Sequence, residues 1–318
     1  MTNRPLVIAH RGASGYLPEH TLAAKALAYG QGADYLEQDV VATRDDQLIV
    51  LHDIHLDTVT DVADRFPDRH RDDGRWYARD FDLAEIRELR AFERSLPDGS
   101  AAVYPGRFPH RRGRFSVPTL EDEIELILGL NRATGRQVGL YPEIKQPAWH
   151  RGEGVDLAAR LLQVLSGYGL QSPEDAVFLQ CFDAEETRRL REQFGTGLRI
   201  VQLIGDDAWD EAETDYAKLL TPDGLADVAT YADGIGPWLP QLYRTEGPSG
   251  DLVTSGVVEQ ARAQGLAVHP YTFRADDLAP GFDDFENQVR WFARTLRIDG
   301  MFTDFPDRTL RALSSEAG

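Results

Sequence analysis

One cysteine, two methionines and three lysines among 318 residues leave little room for several kinds of chemistry. The single Cys181 excludes an intrachain disulfide framework and a multi-cysteine zinc site, and it suits a reducing compartment. No apolar run approaches the roughly 18 to 20 residues of a membrane span, so no integral membrane association is expected. The opening Met1-Thr-Asn-Arg-Pro leads at once into Leu6-Val-Ile-Ala, which is too short for a signal-peptide core. As it stands the chain reads as cytoplasmic, and as periplasmic or secreted if an export signal has been trimmed. There is no G-x-G-x-x-G to support a dinucleotide-binding sheet. Positive charge is also scarce: 34 Lys and Arg against 53 Asp and Glu give a net charge of −19 and a pI near 4.8. That balance argues against nucleic acid or an anionic membrane surface as partner. An acidic enzyme with an anionic substrate needs local positive charge, from a metal or from placed Arg and Lys.

What is present is an alternation of short β-branched runs with longer amphipathic stretches. Strands are expected at Leu6–His10, Tyr35–Thr43, Val138–Ile144, Ala176–Cys181, Leu198–Ile204, Gly234–Pro237, Ala267–Thr272 and Gly300–Asp304. Gln47–His52 reads as one further extended run. Helices are expected between them: His20–Gly30 with Thr21 as N-cap and Leu22, Ala26 and Tyr29 on one face, then Thr119–Leu130 with Asp122 at its third position. Further helices are expected at Val155–Tyr168, Ala184–Phe194, around 222–232, Thr254–Gln264, Phe285–Leu296 and from Asp307 onward. Eight strand–helix units predict an α/β fold of the (β/α)₈ TIM-barrel type, a single domain over residues 1–318. Residues 54–118 break the rhythm. They are rich in Asp, Arg, Pro and Gly, with one helical piece at Asp82–Phe92, and so long a loop is improbable in a compact domain. They are read as an inserted cap subdomain.

The residues able to do chemistry sit where the strands end. Alternation along a strand puts Glu37 and Asp39 on one face, about 7 Å apart, and Glu143 and Lys145 on one face of another strand. If those strands are neighbours, Glu37, Asp39 and Glu143 converge on one cation, and three carboxylates describe a hard-metal site for Ca²⁺ or Mg²⁺. The competing reading of Glu37 and Asp39 is a pair of ion-paired rim residues. His10 and His52 each end an extended run, and two imidazoles near neutral pKa suit the proton transfers of a phosphodiester hydrolase. Asp53 could orient His52, but neighbours on a strand point to opposite faces, so the pair is not assumed. Arg11 and Lys145 could hold a phosphate. Gln180, Phe182 and Tyr271 could line the substrate pocket, Tyr271 by stacking on a carbon skeleton. Thr303-Asp304 could position neighbours. His269 divides evenly between a pocket and a structural role, while His55, His70, His110 and His150 are expected in loops, solvated.

With His10-Arg-Gly-Ala-Ser-Gly-Tyr-Leu-Pro-Glu-His-Thr-Leu, Tyr35-Leu-Glu-Gln-Asp-Val, Leu51-His-Asp, Tyr141-Pro-Glu-Ile-Lys and Phe302-Thr-Asp-Phe-Pro-Asp in this order, the chain resembles the glycerophosphodiester phosphodiesterases. It is most similar to the bacterial type with a long insertion after the second barrel strand, a fold of the phospholipase-C-like phosphodiesterase class. The resemblance implies catalytic histidines at His10 and His52, and one divalent ion, Ca²⁺ ahead of Mg²⁺, at Glu37, Asp39 and Glu143. It implies phosphate contacts at Arg11 and Lys145, and cleavage of small glycerophosphodiesters to sn-glycerol 3-phosphate and an alcohol. A same-fold enzyme for lysophospholipids and a silent binding barrel are the rival readings. The acid–base pair counts against the second.

Overall fold

In the computed structural model, which describes residues 4–246 and 250–314, eight parallel strands form a nearly closed barrel. Met1–Asn3 and the last four residues of the expected single domain lie outside the described residues. Among the described residues eleven strands occur in chain order: β1 (Leu6–Ala9), β2 (Tyr35–Ala42), β3 (Leu48–Val50), β4 (Gly139–Ile144), β5 (Phe178–Cys181), β6 (Arg199–Ile204), β7 (Gly234–Pro237), β8 (Tyr243–Glu246), β9 (Asp251–Thr254), β10 (Ala267–Val268) and β11 (Gly300–Thr303). The barrel runs β10-β7-β6-β5-β4-β2-β1-β11. It is drawn together between its ends by bonds from Asp299 N to Val268 O at 3.0 Å, Phe302 N to Pro270 O at 3.1 Å and Phe273 N to Phe302 O at 2.8 Å. β3 is the extra run. It pairs antiparallel with the end of β2, so it is a hairpin beyond the wall and not a ninth stave.

The two-residue period of the strands makes the interior a stack of layers. Ile8, Tyr35, Tyr141, Phe178, Val201 and Phe302 plug the lower barrel. His10, Glu37, Glu143 and Gln180 come next along the same strands, two residues nearer the C-terminal ends. The apolar plug denies water a path from below, so polar groups above it face one opening only. His269 belongs to the floor: it is buried, and its Nδ1 meets the Tyr141 hydroxyl at 2.9 Å. This resolves its role as structural.

The helices cover the outer face, and their ends follow local chemistry. Thr119 and Asp122 form a reciprocal capping box, with bonds of 2.9 and 3.0 Å, on the helix Leu120–Thr134. Thr21 caps Leu22–Gln31, whose buried face is Ala24, Lys25, Ala28 and Tyr29. Ala26, expected on that face, is exposed. The shift has a physical cause: Lys25 is fully buried and pairs with Glu123 at 2.7 Å, so a charge occupies what hydrophobic periodicity assigns to an apolar residue.

Residues 54–118 gather short elements around a cluster that includes Leu56, Val59, Phe81, Ile86, Leu89 and Val117, packed against the C-terminal end of β2 and against β3 through Val41 and Ile49. The helix expected over Asp82–Phe92 is confined to Leu83–Ile86. Beyond it the chain turns so that Asp61 takes the Arg90 amide and Ala91 bridges Phe115. The helix expected from Thr254 starts at Val257, because Asp251–Thr254 pairs with Tyr243–Glu246 in a hairpin that sequence reading missed. Regular strand at Ala267 ends at Val268, and the remaining residues to Thr272 approach β11 irregularly.

Candidate active site

Glu37 and Asp39 lie on β2, Glu143 on the adjacent β4, and Asp39 is in register with Glu143. The three side chains are buried and each offers an oxygen within 4.8 Å of the others. Burial, and then the charge of Asp39, push the Glu37 carboxyl up to about 8 against the pull of Arg11. Burial raises Glu143 as well, opposed by Lys145. Asp39 Oδ1 is buried with no protein partner. Carboxylates this close cannot all stay ionised unless something positive joins them, and an oxygen left bare beside them points to a ligand. The all-oxygen donor set, with no histidine or cysteine in it, fits a hard divalent cation and not zinc.

His20 is the residue that sequence reading undervalued. It is buried, and its Nε2 holds Asp39 Oδ2 at 2.7 Å, while Nδ1 lies 3.4 Å from Lys25 Nζ. Lys25 also donates to the backbone oxygen of Glu37 and to Glu123. A buried chain thus runs from the helices into the carboxylate cluster and orients Asp39. His150, expected in solvent, is also buried, and its Nε2 accepts from Ala42 N at 3.2 Å at the end of β2. His70 is exposed as expected, whereas His55 and His110 are half-buried, and His110 bonds Ser95.

Two imidazoles flank the cluster. His10 follows β1, and its Nδ1 meets Asp304 Oδ1 at 2.6 Å, leaving Nε2 3.9 Å from Glu37 Oε2. Burial, helped by Arg11, pulls its pKa down to about 4. Arg274 helps hold Asp304 well below the usual carboxylate range despite its burial. An ionised carboxylate can only accept, so Nδ1 carries the proton and Nε2 is free to take one. His52 follows β3, and its Nδ1 meets Asp53 Oδ1 at 2.5 Å. That contact settles what strand alternation left open: the strand stops at Val50, and residues 52–54 bend so that both side chains reach the same side. Burial and the nearby Arg11 and Lys145 lower the His52 pKa.

Arg11 and Gly12 make the turn behind His10. Arg11 has φ +58°, a left-handed conformation that costs an L-residue of order 1 kcal/mol. In return its amide donates to Glu37 Oε2 at 2.8 Å. Gly12, at φ +91°, passes so close to Ala24 that a Cβ would lie 2.9 Å from its backbone. The Arg11 guanidinium lies 3.1 Å from Glu19 and 3.6 Å from Asp39. Burial works against the Lys145 ammonium, but Glu143, Glu211 and Asp39 outweigh it and raise its pKa. Its Nζ is 2.7 Å from Glu143 Oε1 and 3.4 Å from His52 Nε2. Gln180 donates to Glu37 Oε1 at 2.9 Å, and the rings of Phe182 and Tyr271 meet edge to face at 5.7 Å.

The ten residues expected from sequence to transfer protons, hold the metal or bind substrate all line one cavity of about 450 Å³. Trp209, Glu211 and Trp238 join them there. A smaller cavity of about 200 Å³, lined by Arg94, Tyr104, Arg107 and Arg274, opens on the side of the histidines nearer the insertion. Those residues lie in segments with no strand pattern, so no periodicity could have marked them.

The pattern of the Glycerophosphoryl diester phosphodiesterase family matches residues 10–308. The chain belongs to that family. Among its relatives are the glycerophosphodiester phosphodiesterases of Haemophilus influenzae, 44% identical over 96% of this chain and 89% of the relative, and of Treponema pallidum, 36% identical over 98% and 92%. The fold is also that of an Oleispira antarctica phosphodiesterase solved with the product sn-glycerol-3-phosphate, at TM-score 0.63 and 22% identity over 98% of both chains. Family membership and the oxygen-only cluster agree on a metal-dependent phosphoric diester hydrolase. Among the described residues no helix is long and apolar enough to cross a membrane.

Proposed function

We propose that the protein hydrolyses glycerophosphodiesters such as glycerophosphocholine and glycerophosphoethanolamine to sn-glycerol 3-phosphate and an alcohol, with His10 and His52 as the acid–base pair. The observation that carries this reading is the pairing itself: two imidazoles, each with Nδ1 held by a carboxylate, beside a buried three-carboxylate cluster in one cavity.

Glu37, Asp39 and Glu143 would hold one divalent ion, and Ca²⁺ is favoured over Mg²⁺ because the larger ion tolerates an irregular oxygen shell. When bound, the ion supplies positive charge for a phosphoryl oxygen and for the glycerol hydroxyls. Arg11 and Lys145 stabilise the remaining charge on the phosphoryl group. One histidine takes the proton of the glycerol 2-hydroxyl through Nε2. That oxygen bonds to phosphorus as the bond to the alcohol oxygen breaks, and the other histidine gives the alcohol its proton. Water then opens the cyclic phosphate with the two roles exchanged, restoring both imidazoles. The arriving phosphodiester is an anion. Burial, and after it the positive charge of Arg11, lowers the pKa of both rings; the anion offsets that charge and so favours the one imidazolium the reaction needs. Phe182 and Tyr271 would pack on the carbon skeleton. Residues 54–118 would act as a cap subdomain over the strand ends.

The test is release of glycerol 3-phosphate from glycerophosphocholine, with and without a chelator, by wild type and His10→Ala. Activity should fall with the chelator, return with Ca²⁺ or Mg²⁺, and be lost in the variant. Undiminished activity in His10→Ala removes His10 from the mechanism. A diester lacking the 2-hydroxyl should turn over at least a thousandfold more slowly, on the order of the advantage an internal nucleophile confers.

A further inference from the structure

Two arginines of the inserted segment reach the carboxylates behind the histidines. Arg94 Nη1 donates to Asp53 Oδ2 at 2.6 Å, and Arg107 Nη2 donates to Asp304 Oδ2 at 2.7 Å. The other oxygen of each carboxylate accepts from an imidazole: Asp53 Oδ1 from His52 and Asp304 Oδ1 from His10. The sequence imidazole, carboxylate, guanidinium therefore occurs twice, and both guanidiniums come from residues 54–118.

The Arg107 pair is buried, with the Arg107 side chain 5% exposed and Asp304 1%, although the loop bearing Arg107 is largely in solvent, and the Arg94 pair is half-buried at 17% and 24%. Arg107 is itself gripped by Asp276 at 2.8 and 3.0 Å and lies 3.7 Å over the Tyr104 ring. Arg94 forks onto Glu19 at 2.6 and 2.9 Å, and Glu19 in turn holds Arg11. A carboxylate tied at one oxygen only can rotate about its side-chain bonds. Tied at both, it fixes the plane and the tautomer of the ring it faces. His52 has particular need of this, because it follows a three-residue strand outside the barrel wall.

We propose that the insertion is a positioning element for catalysis: Arg94 and Arg107 anchor Asp53 and Asp304 so that both imidazoles keep their proton on Nδ1 and turn Nε2 to the substrate. The proposal rests on His10 and His52 being the acid–base pair. The two braces differ in redundancy. Asp304 Oδ2 has a second cation, Arg274 at 3.0 Å, whereas Asp53 Oδ2 has only the Thr58 hydroxyl at 3.1 Å beside Arg94. Losing Arg94 should therefore cost more.

The experiment compares kcat and KM for glycerophosphocholine in Ca²⁺ for the full chain, Arg94→Met, Arg107→Met, their Lys counterparts, His10→Ala and His52→Ala. Imidazole tautomers are read by ¹⁵N NMR in the same proteins. Arg107→Met should lower kcat about tenfold with KM nearly unchanged. Arg94→Met should lower kcat about 100-fold, the scale of a small misplacement of a reacting group, and raise KM because Glu19 and Arg11 loosen. The NMR of each Met variant should show its own histidine losing the pure Nδ1–H form. Wild-type kcat and tautomers in both folded Met variants overturn the proposal. If a Met variant does not fold, the Lys variant decides. Arg94→Lys puts one point charge where a fork spanned two carboxylates and should still lower kcat at least fivefold, and wild-type kcat there also overturns it. Retained activity in His10→Ala and His52→Ala sinks the underlying assignment instead. Loss there with intact arginine variants sinks only the bracing.

Discussion

Asp304→Asn keeps the shape of the side chain behind His10 and removes one acceptor, and its surroundings dictate which one. Asp304 Oδ1 accepts from His10 Nδ1 at 2.6 Å, while Oδ2 accepts from Arg107 at 2.7 Å and Arg274 at 3.0 Å. An amide has a single acceptor oxygen. Turned to His10, it leaves its NH₂ against two guanidiniums and forfeits two charge-assisted bonds, each worth about 1.5–3 kcal/mol. Turned to the arginines, it keeps both and points its NH₂ at His10 Nδ1. That donor forces the imidazole proton onto Nε2, where it blocks proton uptake from substrate, the same tautomer logic by which an aspartate serves a hydrolase triad. A preference of about 3–6 kcal/mol leaves the productive tautomer in roughly one molecule in 10² to 10⁴. The expected result is a fall of that size in kcat, measured as glycerol 3-phosphate release coupled to a dehydrogenase at saturating Ca²⁺ across pH 5 to 9. Metal affinity should be unchanged, because Asp304 is not in the carboxylate cluster. A folded variant whose kcat stays within tenfold of wild type at every pH would refute the reasoning.

Three other perturbations reach different layers of the molecule. Lys25→Met leaves Glu123 buried without its partner and should destabilise the protein by about 3–5 kcal/mol. Adding Glu123→Leu should recover at least half of that, and a single variant that melts like wild type contradicts the buried pair. His269 is pulled down to about 4 by burial and, less strongly, by Arg199. Because the unfolded chain then binds a proton that the folded one refuses, His269 should cost stability progressively as pH falls from about 6.5 to 4, by about 3 kcal/mol in all. His269→Gln should flatten the stability–pH curve over that interval, and parallel curves would show that the floor histidine does not titrate as argued. His20→Ala frees Asp39 Oδ2 and should weaken Ca²⁺ binding about 10- to 100-fold. Unchanged calorimetric affinity would mean that Asp39 is held in place without it.

How far the amino-acid order reaches can be judged residue by residue. Tyr35-Leu-Glu-Gln-Asp and Tyr141-Pro-Glu-Ile-Lys alternate, so Glu37 and Asp39, and Glu143 and Lys145, share a face by covalent geometry alone. Thr119 and Asp122 cap a helix because their spacing matches the first helical turn. Such features are local, and the strand–helix count that implies a barrel is a sum of them. The same period logic fails wherever a buried charge replaces an apolar side chain, as at Lys25 and Glu123, because polarity is then a poor guide to burial. It fails again where an element ends early: with β3 stopping at Val50, Asp53 turns to His52 instead of away from it.

The sequence by itself therefore determined the βα repeat, the inward face of each strand, and which residue types stand at the strand ends. Tertiary structure alone decided that β2 and β4 are neighbours, and hence that three carboxylates meet. It also decided that Asp304, 294 residues from His10, stands behind it, and that Arg94 and Arg107 come back from the insertion to hold both aspartates. The physical reason is distance along the chain. A strand's alternation is set by bonds between consecutive residues, whereas contacts between remote segments exist only once the barrel closes and brings its first and last strands side by side.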